Sequence, residues 1–114
     1  MASLSHTFPP NTDIGYTAYA NTGGTPTLKI SVGGLVVFTA TKGGVKNTPM
    51  GLGVLNTGSS GKVTVEVTEP GTTVKPLAVG VTKVGSHQII AVGAEDWTDE
   101  DFNDVVVLFN FPLK

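Results

Sequence analysis

The sequence predicts an all-β domain, a sandwich or barrel of about eight or nine short strands, and three observations carry that prediction. Apolar residues recur at every second position nearly everywhere, rather than at helical spacing. Fifteen glycines and seven prolines punctuate runs rich in Val, Thr, Ile and Phe, residues that fit a pleated, half-buried surface. The length of 114 residues suits one domain with a modest core. No linker, composition shift or internal repeat divides it, so residues 1–114 are expected to form a single domain.

The elements follow in order. Phe8-Pro9-Pro10-Asn11 reads as an extended lead-in and a turn. Ile14 to Ala20 is a first strand, with Ile14, Tyr16, Ala18 and Ala20 on one face, ended by the polar turn Asn21-Thr22-Gly23-Gly24. Thr27 to Val32 alternates cleanly and leads through Gly33-Gly34, a tight hairpin signal, into Leu35 to Ala40. After the turn Lys42-Gly43-Gly44, residues 45–51 read as irregular and Gly53 to Asn56 as a short strand. The loop 56–61 is followed by no helix, which argues against a phosphate-binding loop. Lys62 to Thr68 is the clearest amphipathic strand, with Val63, Val65 and Val67 inward. Leu77 to Val84 and His87 to Val92 form a hairpin across Gly85-Ser86. Val105 to Phe111 is the last strand, and Pro112, which has no N–H to donate, ends its pairing.

The candidate site is the segment Glu95-Asp96-Trp97-Thr98-Asp99-Glu100-Asp101-Phe102-Asn103-Asp104. It carries six of the nine acidic residues and no basic one. Carboxylates this close repel, and the repulsion calls for water, protonation or a cation. Asp99, Asp101 and Asn103 alternate, the pattern in which oxygen ligands are offered to a hard cation such as calcium. The pattern starts like an EF-hand loop and then departs from it. Asp104 stands where that loop needs Gly, Asn110 where it needs Glu, and a strand follows instead of a helix. Trp97, the sole Trp, reads either as a cap over the core or as an exposed ring that stacks on a sugar face.

Composition excludes several classes. All seven basic residues are Lys, unclustered, which argues against a nucleic-acid partner. Outside the acidic segment seven lysines face only Asp13, Glu66 and Glu69, so two bound Ca²⁺ would move the net charge from −2 to about +2. Without Cys there are no disulfides or thiolate metal sites. His6 and His87 are isolated, and no Ser-His-Asp spacing is present, so no catalytic residue is assigned and the protein is expected not to be an enzyme. No apolar stretch reaches membrane-span length, so no membrane insertion is expected. The start, Met1 to Thr7, lacks the regions of a signal peptide. The protein is expected to be cytoplasmic as made, with release or cell-surface association left open.

The motif Glu95-Asp96-x-Thr98-Asp99-x-Asp101-Phe102-Asn103-Asp104, followed by a Val-rich strand and Asn110-Phe111-Pro112-Leu113, resembles the two-calcium fucose/mannose-binding lectins of Gram-negative bacteria. Asn11-Thr12, Gly15-x-Thr17-Ala18-Tyr19-Ala20-Asn21 and residues 54–63 extend the resemblance along most of the chain. It implies a nine-stranded antiparallel β-sandwich that forms homodimers or homotetramers, with two Ca²⁺ per subunit coordinating sugar hydroxyls. The implied metal ligands are the side chains of Glu95, Asp99, Asp101, Asn103 and Asp104, the main-chain carbonyl of Asn21, and the terminal carboxylate of Lys114 from a second subunit. The implied sugar-binding set is Asn21, Thr22, Gly23, Gly24, Glu95, Asp96, Trp97, Asp99, Asp101, Asp104 and Lys114. The expected partner is therefore a fucose/mannose-type glycan, bound multivalently.

Three positions depart from the family pattern. Lys114 stands at the chain end where Gly is usual. Trp97 replaces a small residue of the type member. The Thr22-Gly23-Gly24 loop lacks a second hydroxyl. The alternative expectation is therefore a lectin-fold structural or interaction module whose sugar binding is weakened or lost through Lys114 and Trp97.

Overall fold

A computed structural model describes residues 2–71, 73–74, 77–95 and 104–113. Nine strands make up these residues, with no helix among them: β1 (Ala2–Thr7), β2 (Asp13–Thr22), β3 (Thr27–Val32), β4 (Leu35–Thr41), β5 (Gly44–Asn56), β6 (Lys62–Thr68), β7 (Ala78–Val84), β8 (His87–Ala94) and β9 (Val105–Phe111). They form two antiparallel sheets, β1-β6-β3-β4 and β5-β2-β9-β8-β7, packed as a sandwich. The all-β, nine-stranded expectation holds.

Two-residue alternation builds both faces. Ile14, Ala18 and Ala20 of β2, Val105, Val107 and Phe109 of β9, and Ile90 and Val92 of β8 are buried against Leu28, Ile30, Val63, Val65 and Val67 of the other sheet. Tyr16 and Phe38 meet across the sheets at 5.1 Å between ring centroids. Phe8 closes one end of the core, edge-on to Phe109 and Phe111, each at 5.6 Å. The hairpin between β3 and β4 turns on Gly33 and Gly34, with φ of 56° and 87°. A two-residue turn matched to strand twist needs both residues at positive φ, where only glycine is unstrained.

Both sheets expose apolar side chains as well as polar ones. On the four-stranded sheet β4 exposes Leu35, Val36 and Val37, beside Ser, Thr, Lys and Glu residues, with Ser5 and Thr64 hydroxyls 2.8 Å apart and Thr27 and Thr41 hydroxyls also 2.8 Å apart. On the five-stranded sheet Leu52 and Val54 are 77% and 64% exposed. They sit opposite Thr17 and Gly15 of β2, in the alternation opposite to the buried Leu55.

One strand is added and one expectation changes. Residues 2–7, to which the sequence assigns no element, form β1, which pairs with β6 from Ala2↔Val67 to Thr7↔Lys62. Residues 45–51 are not irregular, because β5 runs unbroken through them. Their sequence misleads because the strand bulges. The β2–β5 register shifts at Ala18/Tyr19 and at Ala20/Thr22, and Lys46 and Asn47 take positive φ, a local irregularity that bulges accommodate.

Candidate functional site

The topology sends the connections β2–β3, β4–β5, β6–β7 and β8–β9 to one end of the sandwich. The turns after β1, β3, β5 and β7 go to the other end, as does the exit from β9. Glu95 and Asp104, the described ends of the acidic segment, follow β8 and precede β9 and so fall at the first end, where Asp104 lies beside Asn21.

Backbone pairing fixes three of the predicted residues next to one another. The Asn21 N–H donates to the Asp104 carbonyl at 2.9 Å, and the Asp104 N–H donates to the Ala94 carbonyl at 3.0 Å. Adjacent strands β2, β9 and β8 therefore bring Asn21, Asp104 and Glu95 to one place. Glu95 is fully buried and Asp104 is 8% exposed. A carboxylate taken out of water needs hydrogen bonds, a counter-charge or a metal. The segment supplies oxygen donors and no nitrogen or sulfur ligand, the donor chemistry of calcium rather than of zinc. Among the described residues no group of three or more His, Cys, Asp or Glu side chains converges as a metal site. Asp96, Trp97, Asp99, Asp101 and Asn103, which the sequence places in the site, lie outside the described residues, as does Lys114.

The second wall is the turn after β2. The Thr22 hydroxyl accepts from the Gly24 N–H at 3.2 Å. The Asn21 side-chain oxygen accepts from the Asn47 N–H at 2.6 Å, and the Thr25 N–H donates to Glu69 Oε1 at 2.8 Å. The Lys42 N–H donates to the Pro26 carbonyl at 3.1 Å. Sequence reading missed Asn47 and Glu69. Asn47 falls in the stretch read as irregular, and the residue type itself was the available signal, since Asn tolerates the αL conformation it adopts here better than most residues. Glu69 carries no pattern that links it to Thr25.

The far end holds a different set. Leu113 Cδ2 lies against Gly15, and β9 separates this end from Asp104 by seven residues, roughly 20 Å at strand rise. Leu113 thus lies at the end opposite Asn21 and Asp104. An open cleft of ≈ 440 Å³ at the far end is lined by Thr12, Asp13, Val54, Pro112 and Leu113. Its acid, Asp13, accepts from Asn56 Nδ2 at 2.9 Å. None of the predicted oxygen ligands is among the residues that line the cleft.

The chain matches the family described as fucose-binding lectin II (PA-IIL) over residues 6–113. It is similar in structure to a Ralstonia solanacearum high-affinity mannose-binding lectin, at 35% identity, 96% coverage of both chains and a TM-score of 0.88. A Chromobacterium violaceum lectin solved in complex with alpha-methyl-fucoside is 30% identical, again with 96% of both chains covered, at a TM-score of 0.87. The C-terminal domain of a Burkholderia cenocepacia lectin is 26% identical, with the same coverage, at a TM-score of 0.84. Among curated protein sequences there is no match. With residues 6–113 of 114 matched and the sandwich shared, the chain belongs to the fucose-binding lectin II (PA-IIL) family.

Proposed function

We propose that this protein is a calcium-dependent lectin that binds fucose/mannose-type monosaccharides and makes or breaks no bond in them. The observation that carries the reading is the meeting of Asn21, Glu95 and Asp104 at the sandwich end that also bears the Thr22–Gly24 turn. Family membership and two relatives named for mannose binding or solved with a fucoside support the sugar class.

In this reading Glu95, Asp99, Asp101, Asn103 and Asp104 offer side-chain oxygens and Asn21 its main-chain carbonyl to two Ca²⁺. Calcium takes about six to eight oxygens, so the bound ions supply open positions to adjacent sugar hydroxyls. Asp96, Trp97 and Thr22–Gly24 contact the ring. The remaining ligand is the terminal carboxylate of Lys114 of the partner subunit. The roughly 20 Å between Asp104 and the exit of the same chain supports a donor in trans. The exposed Leu52 and Val54 on the five-stranded sheet support a homodimer or homotetramer buried through that face.

Titration calorimetry with methyl α-fucoside and methyl α-mannoside, in calcium and in chelator, tests the proposal. Heat with either sugar that disappears in chelator is expected. No heat with either at millimolar concentration sinks the lectin reading. Calcium-dependent thermal stabilisation without any sugar heat favours the module that keeps the fold and has lost sugar binding.

A further inference from the structure

We infer that Glu69 is a positioning residue for the sugar-facing turn, and that its carboxylate sets how well Thr22–Thr25 is preformed for a ligand. The inference rests on the lectin reading above and adds a residue outside the acidic segment. Glu69 follows directly on β6, whose last residue, Thr68, pairs with Thr27 at the start of β3. The sheet therefore delivers the side chain to the turn that precedes β3. There Oε1 accepts the Thr25 N–H at 2.8 Å, a charge-assisted bond to a backbone donor.

Gly24 is matched to this arrangement. A Cβ at Gly24 would collide with Oε1 of Glu69 and lie 2.6 Å from its Cδ. From another side a Cβ at Gly43 would collide with the Gly24 carbonyl oxygen. The turn is thus closed in by β6 on one side and by the β4–β5 connection on the other, while the Thr22 hydroxyl ties it internally to the Gly24 N–H. The Glu69 bond is an attachment made by a side chain from a distant part of the sequence. Its removal frees the Thr25 N–H to water and leaves the turn to sample other conformations. A ligand that needs one conformation then binds more weakly by the fraction lost.

The bond is solvent-accessible, so the effect is modest. Glu69→Ala is expected to weaken methyl fucoside or methyl mannoside binding by about fivefold, and by unequal factors for the two. Calcium affinity should change much less, because Asn21 and Asp104 are held by backbone bonds of their own, from Asn21 N–H to the Asp104 carbonyl and from Asp104 N–H to the Ala94 carbonyl. Glu69→Gln keeps an acceptor oxygen and should restore most of the affinity. Gly24→Ala should weaken binding in the wild-type background and less so in Glu69→Ala, where the added methyl finds room.

Wild-type affinity and selectivity in Glu69→Ala, or a Gly24→Ala loss of equal size in both backgrounds, overturns the inference while leaving the lectin reading intact. A wild-type chain that binds no sugar overturns the lectin reading instead. Amide exchange at Thr25 then decides the clamp itself. Faster exchange in Glu69→Ala than in Glu69→Gln supports it, and equal exchange overturns it.

Discussion

Thr57 holds the sandwich end opposite the acidic segment, and replacing it with Val isolates that role. The residue is fully buried. Its hydroxyl donates to the Pro9 carbonyl at 2.7 Å and accepts from the Thr12 N–H at 3.0 Å, while its own N–H donates to the Thr12 carbonyl at 2.9 Å. Valine keeps the shape and the backbone bond and removes both hydroxyl bonds. A buried polar group left unpaired costs about 1–3 kcal/mol. Pro9 is exposed and Thr12 half-buried, so water reaches both partners and the low end of that range applies to each. The expected loss is about 2 kcal/mol. For a domain of this size that corresponds to a Tm lower by roughly 8 °C. Urea unfolding at fixed protein concentration should show a lower midpoint at unchanged slope. Because the proposed site lies at the other end of the strands, the calcium-induced rise in Tm that the proposal predicts should be the same in both proteins. A loss under about 0.5 kcal/mol would refute the assignment of Thr57 as a stability anchor. A changed calcium response would refute the independence of the two ends.

The other predictions concern the site and its surroundings. Asp104→Asn should reduce calcium affinity by at least about tenfold, read by calorimetry, because a nearly buried carboxylate loses its charge where the ion is proposed to sit. Lys114→Gly should raise monosaccharide affinity if the lysine side chain crowds the sugar, and an unchanged affinity would clear the terminus of that role. Leu52→Lys should weaken self-association by about 2 kcal/mol or more, roughly thirtyfold, in sedimentation equilibrium. An unaltered association constant would move the subunit interface off that face.

The parts of the fold that could be read from sequence were those where alternation and turn chemistry agree. Val63, Val65 and Val67 point inward as their spacing requires, and the Gly33-Gly34 and Gly85-Ser86 turns lie where the glycines signal them. β1 was hidden because its inward set, Ala2, Leu4 and His6, is short of strong strand formers and its partner, β6, is some sixty residues away. The first part of β5 was hidden, while Gly53 to Asn56 was read as strand, because bulges break the two-residue rhythm that sequence reading depends on. At the site, the carboxylates announced themselves by density. The supports did not, since Asn47 reaches Asn21 through a backbone N–H and Glu69 reaches Thr25 across 44 positions. Contacts of this kind are set by register between distant strands, which no local pattern encodes.

The division of the sandwich into two ends has a practical side. Described chain enters at Ala2, opposite Val67 and so at the end that carries Asn21 and Asp104, and it leaves at the other end through Leu113. Anything appended before Ala2 therefore projects beside the proposed glycan site, and anything appended after the last residue removes the free carboxylate proposed to serve a neighbour. The β7–β8 hairpin avoids both problems. Gly85 and Ser86 are exposed, Gly85 already occupies φ +62°, and the turn faces away from the acidic segment. A fluorophore or surface linker attached there would sit at the end of the sandwich opposite Asn21 and Asp104.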